Sequence, residues 1–114
     1  RQRQMCIRDS RIQKVLSHIR KNIYKTVDID SLAAISCLSK DHFIRLFKKE
    51  VGTTPLQYIN QKKIEKAQLI LITEDIPVKN IAYLLAYEDH SYFNRLFKKI
   101  TDVTPQQYRE LYKK

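Results

Sequence analysis

The chain repeats itself, and that repeat limits what it can fold into. Phe43-Ile44-Arg45-Leu46-Phe47-Lys48-Lys49 returns as Phe93-Asn94-Arg95-Leu96-Phe97-Lys98-Lys99. Thr54-Pro55-Leu56-Gln57-Tyr58 returns as Thr104-Pro105-Gln106-Gln107-Tyr108. Both pairs keep an offset of fifty, whereas Leu32-Ala33 matches Ile81-Ala82 at forty-nine. One residue has therefore been inserted between the paired segments of the second copy. Two copies of one supersecondary unit fill most of the chain, and a fold must accommodate both.

Each copy reads as helix, tight turn, helix. In the first, Asp30 or Ser31 is expected to cap a helix whose apolar face is Leu32, Ile35 and Leu38, because their side-chain oxygens can bind the free amides of a first turn. A second helix is expected to open at Ser39, with Asp41 near its positive end. Its stripe is Phe43, Leu46, Phe47 and Val51, at spacings of three and four. Gly52 supplies the left-handed residue that ends it. In the second copy Pro77 starts a helix with Val78, Ile81, Ala82 and Leu85 inward. The next runs from about Ser91, with Phe93, Leu96, Phe97 and Ile100 inward. Pro55 and Pro105 each open a helix, since proline lacks an amide that the first helical position would leave unpaired. The helix from Pro55 to about Thr73 joins the copies, one from Arg11 to Asn22 precedes them with Ile12, Val15, Leu16 and Ile19 inward, and one from Pro105 to about Tyr112 ends the chain.

The expected fold is thus all-α: two helix-turn-helix subdomains, about 30–51 and about 77–101, joined by a linker helix at about 55–73, seven helices in all. One Gly and three Pro in 114 residues are too few turn formers for an all-β fold, and 43% hydrophobic residues suffice for one small domain over residues 11–114. Residues 1–10 match neither copy and read as a tail, linker remnant or cloning or sequencing scar, without function.

Charge points to the partner. There are 22 Lys and Arg against 12 Asp and Glu, a net +10, and a domain this basic usually meets a polyanion: DNA, RNA or an anionic membrane. With the aromatic stripe of each second helix turned in, Lys40, Asp41, Ile44, Arg45 and Lys48 turn out in the first copy, and His90, Ser91, Asn94, Arg95 and Lys98 in the second. An α-helix fits the major groove, where Arg can bind guanine O6 and N7 with both arms of its fork and Asn can bind adenine N6 and N7. Lys48, Lys49, Lys98 and Lys99 suit phosphates. A single Arg-Leu-Phe-Lys-Lys run is as often a solvated amphipathic face; two copies in one register, each behind a short helix and a turn, favour DNA reading. Phe43, Phe47, Phe93 and Phe97 could stack on bases, but their spacing is that of a core.

Other chemistry finds little footing. Cys6 lies in the unmatched N-terminal stretch, and Cys37, in an apolar run, is expected to be a small core residue. The cysteines and the histidines His18, His42 and His90 have no metal-ligand spacing. His18 is expected at a surface edge, His42 over a phosphate or the core, and His90 where it could touch a base or phosphate. No nucleophile with an adjacent base, phosphate loop or paired carboxylates is visible, so neither catalytic residues nor a cofactor are expected. No stretch is long and apolar enough to span a membrane, and a reduced, cytoplasmic setting is the default. Two rivals remain: a helical adaptor whose basic face meets an acidic protein, and a helical RNA-binding domain lacking the usual stacking sheet or glycine clamp.

Residues 39–58 and 82–108 resemble the two helix-turn-helix units of the AraC/XylS family of bacterial transcription regulators. The second unit carries the more specific signature: Ala86-Tyr87-Glu88-Asp89, Ser91-Tyr92-Phe93-Asn94-Arg95-Leu96-Phe97-Lys98-Lys99, and Thr104-Pro105-Gln106-Gln107-Tyr108-Arg109. The resemblance, over about residues 11–114, implies seven helices with the third and sixth in successive major grooves. It implies sequence-specific binding of double-stranded DNA and regulation of transcription, activation above repression, with RNA polymerase as a further partner. It gives as base readers Lys40, Asp41, Ile44, Arg45, His90, Ser91, Asn94 and Arg95. Phosphate contacts fall on Ser39, Lys48, Lys49, Lys98 and Lys99, and on Thr54 and Thr104, where free amides at a helix start face an anion. Many members place such a domain behind a sensing or dimerising region, so an N-terminal partner domain is expected. Two positions depart from the pattern: the family usually has Gly where Ala86 and Asp102 stand, and Ala tolerates a left-handed backbone less well than Asp does.

Overall fold

The structure, a computed structural model, describes residues 9–113. Among these it is all-helical: α1 (Ser10–Lys21), α2 (Ile29–Ser36), α3 (Lys40–Val51), α4 (Pro55–Thr73), α5 (Val78–Leu84), α6 (His90–Thr101) and α7 (Pro105–Tyr112). Most of the unmatched N-terminal stretch, Cys6 included, lies outside the described residues. Its last two residues belong to the fold: Asp9 caps α1 by accepting from the Arg11 amide, and Ser10 opens the helix. The Arg11 guanidinium also binds Asp9 and holds its carboxyl down at about 2.

The chain divides into two compact units. The first takes residues 9–23 and 27–59, the second residues 24–26 and 60–113, so α4 contributes its opening to one and the remainder to the other. The core of the first gathers Ile12, Val15, Leu16 and Ile19 of α1, Leu32 and Ala33 of α2, Phe43, Phe47 and Val51 of α3, and Ile59 of α4. The core of the second gathers Ile64, Ala67, Ile70 and Leu71 of α4, Ile81, Ala82 and Leu85, Tyr87, and Phe93 and Phe97 of α6. In each unit three rings pack in the same register: Phe43, Phe47 and Tyr58 in one, all edge on, and Phe93, Phe97 and Tyr108 in the other, the first pair tilted and the second edge on, with neighbouring centroids 5.7–6.0 Å apart. The four phenylalanines are fully buried, so they are core and not platforms for bases.

Backbone strain marks the repeat as clearly as the side chains do. Among the described residues four have a left-handed φ: Cys37 at 62°, Gly52 at 99°, Ala86 at 69° and Asp102 at 73°. They form two equivalent pairs. Cys37 and Ala86 close the turn after α2 and α5, and Gly52 and Asp102 end α3 and α6. The first pair sits in matching carbonyl-capping turns: Leu38 N donates to Ala33 O at 3.2 Å, and Tyr87 N to Ala82 O at 3.0 Å. This is the arrangement by which a left-handed residue satisfies the last carbonyls of a helix. Leu38 alone separates Cys37 from the α3 cap Ser39, whereas Tyr87 and Glu88 separate Ala86 from the α6 cap Asp89. The inserted residue of the second copy is thus in the turn, at Glu88.

Three local expectations are corrected. The cap of α2 is Asp28, whose carboxylate accepts from Ser31 N at 2.7 Å, because the helix begins a turn's fraction earlier than Asp30 or Ser31 would set it. That amide bond holds the Asp28 carboxyl below its usual range. Cys37 is exposed: α2 stops at Ser36, and the left-handed bend turns the next side chain outward. Ser36 takes the buried place, with its hydroxyl donating to Ala33 O at 2.7 Å. Ile100 is 41% exposed, because Leu96 and Phe97 already close the inner face of α6.

Candidate nucleic-acid interface

Both candidate reading helices start at a polar cap. Ser39 Oγ accepts from His42 N at 3.3 Å to open α3, and Asp89 Oδ1 accepts from Ser91 N at 2.9 Å to open α6. The serine hydroxyl keeps its own proton to donate. On α3, Lys40, Asp41, Arg45, Lys48 and Lys49 are exposed and Ile44 is half-buried against the core. Lys40 lies 3.8 Å from Asp30, with both side chains largely in water, where such a pair holds weakly. On α6, Ser91, Arg95, Lys98 and Lys99 are exposed, and His90 is half-buried with its ring edge-on to Tyr83 at 6.4 Å. Among the described residues neither Arg45 nor Arg95 has an ion-pair or hydrogen-bond partner. Each guanidinium therefore stands ready for a ligand, and each has two lysines following on its helix.

The structure brings the predicted groups of each unit onto one helix face, with two qualifications. Asn94 is half-buried, and its Oδ1 is buried without a hydrogen-bond partner. In this conformation it does not present both edges of its amide. The helix starts at Thr54 and Thr104 are also less open than expected. Thr54 N donates to Gln57 Oε1 at 3.2 Å while Gln57 N donates to Thr54 Oγ1 at 3.2 Å, and Thr104 and Gln107 do the same at 2.9 and 3.1 Å. These reciprocal caps occupy two of the amides that an anion would otherwise find. What remains for a phosphate is the amide of Leu56 or Gln106 and the threonine hydroxyl proton. Of the histidines, His42 is exposed and His18 is half-buried, 3.4 Å from Asn22 Nδ2.

Two residues that position the second unit were not singled out by sequence. Lys63, only 5% exposed, donates from Nζ to Leu85 O at 2.7 Å and to Lys25 O at 2.9 Å. It thereby serves a carbonyl at the end of α5, beside the turn that delivers α6. Burial pushes its ammonium down to about 8. Arg109 donates to Leu71 O at 2.9 Å, Glu74 O at 3.1 Å and Ile76 O at 2.7 Å, and Lys113 adds Glu74 O and the Asp75 carboxylate. These acceptors lie 33 to 39 residues before the side chains that bind them, so the signal is tertiary. A lysine in a helix otherwise rich in surface polar residues looks solvated until its fold is known.

No group of three or more His, Cys, Asp or Glu that could hold a metal occurs among the described residues. Nor is any described helix long and apolar enough to cross a membrane.

A model of the helix-turn-helix domain matches residues 32–111, from the core of α2 to the end of α7. The chain belongs to the AraC/XylS family. Among family relatives, the MmsAB operon regulatory protein of Pseudomonas aeruginosa is 34% identical over 94 residues, 82% of this chain and 31% of that protein. The C-terminal domain of the two-component response regulator yesN from Fusobacterium nucleatum superposes with a TM-score of 0.81 at 32% identity, covering 85% of this chain and 95% of that one. The C-terminal domain of AraT, a response regulator from Geobacillus stearothermophilus, gives 0.87 at 26% identity, covering 91% and 87%. The chain spans about a quarter to a third of the length of the curated relatives it matches first. The expected AraC-type fold of seven helices is thus found, with the left-handed positions that this family usually fills with glycine held here by Ala86 and Asp102.

Proposed function

We propose that this chain binds specific sequences of double-stranded DNA and regulates transcription, with α3 and α6 as its reading helices. The observation that carries the reading is the matched pair Arg45 and Arg95. Each is exposed and unpaired among the described residues, at one register of two helices that open on like caps and bury like aromatic stripes. A bidentate guanidinium reads guanine in the major groove, and the lysines that follow it neutralise phosphates. Lys40, Asp41, Ile44, His90 and Ser91 flank the two arginines as further base contacts, and Ser39, Thr54 and Thr104 supply hydroxyls to the backbone. The two helices take successive major grooves, and the outcome is activation, with RNA polymerase as the neighbouring partner. The action is binding rather than catalysis, in the cytoplasm. A sensing or dimerising region completes the regulator; the length of the curated relatives supports this.

The test is selection from a random duplex pool with the chain. The expected product is two short motifs about one helical turn, roughly 10 base pairs, apart. Enrichment of a single motif would refute two-groove reading. Retention of folded RNA in preference to duplex, or of neither, would overturn the DNA reading itself.

A further inference from the structure

Residues 44 and 94 hold equivalent places in the repeat, and the two units fill them differently. Ile44 is half-buried and packs on the first core. Asn94 is half-buried too, but its Oδ1 is shut off from solvent with no donor to meet it. A buried acceptor left unmatched destabilises a fold, whereas an aliphatic side chain of similar size in the same place does not. Position 94 therefore carries a polar group where the packing of its twin shows that an apolar one fits.

We infer that Asn94 is a specificity residue held at the expense of stability, and that the partner its amide oxygen lacks is the exocyclic amine of an adenine. This rests on α6 reading the major groove. The stranded atom is an acceptor, so its missing partner is a donor. Only two major-groove edges offer one, adenine N6 and cytosine N4. The same amide also has Nδ2 to place, which requires an acceptor beside that donor on the same base. Adenine supplies N7 there and cytosine supplies nothing. The side chain already reaches the surface, so rotation about its own torsions turns the amide outward. On adenine it trades an unmatched buried oxygen for two hydrogen bonds. Guanine and thymine offer no donor on that edge and leave the oxygen as it was.

Asn94→Ile copies the first unit into the second and separates the two consequences. The unfolding equilibrium constant in urea is expected to fall, roughly five- to 150-fold, as the orphaned acceptor is removed. In the random-duplex selection, one adenine in the α6 motif is expected to lose its preference, by roughly five- to 150-fold, while every other position is kept. Asn94→Ala, which cannot clash, is expected to lose the same adenine. If the wild-type chain selects motifs but none has an adenine that these variants relax, the inference is overturned while the DNA reading stands. An Asn94→Ile chain no more stable than wild type overturns the claim that the oxygen is held at a cost. If the wild-type chain selects no duplex motif, it is the reading beneath that fails.

Discussion

Ala86 occupies a backbone position that its side chain resists. With φ at 69° its Cβ crowds the following carbonyl, at about 1–2 kcal/mol for an L-residue. Ala86→Gly removes that strain. It also gives the unfolded chain more freedom, which costs about 0.4–1 kcal/mol. The difference leaves a net stabilisation of about 0.5–1 kcal/mol. The bonds of the turn, Ala86 N to Tyr83 O at 2.9 Å and Tyr87 N to Ala82 O at 3.0 Å, involve only backbone and are kept. For a domain of this size the gain corresponds to a rise in Tm of about 2–8 °C. The midpoint in urea should rise with an unchanged slope, since the surface exposed on unfolding is the same. Ala86→Val supplies the opposite perturbation, because a β-branched side chain tolerates positive φ least; it should lower Tm by more than glycine raises it. A glycine variant that melts below the wild type, or a valine variant that melts with it, would refute the assignment of strain to this residue.

Arg45→Ala should weaken binding to selected duplex by about 1–3 kcal/mol and to random duplex by much less, whereas Lys49→Ala should weaken both and reduce the salt slope by about one; equal losses for Arg45→Ala on the two duplexes in fluorescence titrations would remove its reading role. Lys63→Met should destabilise the chain by about 1–3 kcal/mol in urea, because the Leu85 and Lys25 carbonyls lose a donor. Lys63 also gives stability a pH dependence. Its folded value of about 8 lies below the ordinary lysine value of 10.5, so between them the unfolded chain binds more protons and stability rises with pH. The contribution is least below about 8. Urea midpoints between pH 7.5 and 9.5 should climb in the wild type and stay level in Lys63→Met, a window that ends before buried Tyr87, whose hydroxyl is pushed up by desolvation, reverses the trend. Parallel curves for the two chains would exclude Lys63 as the source.

Local signals carried most of the fold into view. The spacing of apolar residues located every helix to within about two residues, and Gly52, Ser39, Pro55 and Pro105 stand at helix ends because caps and prolines act through neighbouring atoms. The family pattern marked Ala86 and Asp102 as positions for glycine, and both have a positive φ. What the sequence left hidden depended on distance along the chain. Lys63 and Arg109 look like solvated charges until α4, α5 and α7 are assembled, after which they hold backbone carbonyls 22 to 38 residues away. Cys37 was misplaced because periodicity continues past the residue at which the backbone turns. The candidate interface was legible as a set of exposed basic side chains. The inward turn of the Asn94 oxygen was not, since it depends on what packs beside α6.

The clamp made by Arg109 has a practical bearing on how this chain can be shortened or extended. Its guanidinium fastens the loop that follows α4 from a helix that a sequence trimmer would regard as expendable, the last two turns before residue 113. Deleting from residue 109 onward would release the carbonyls of Leu71, Glu74 and Ile76 together and act as a lesion in the middle of the second unit. A reporter or affinity tag should follow Lys114 and leave in place Lys113, whose Nζ holds Asp75, together with what precedes it.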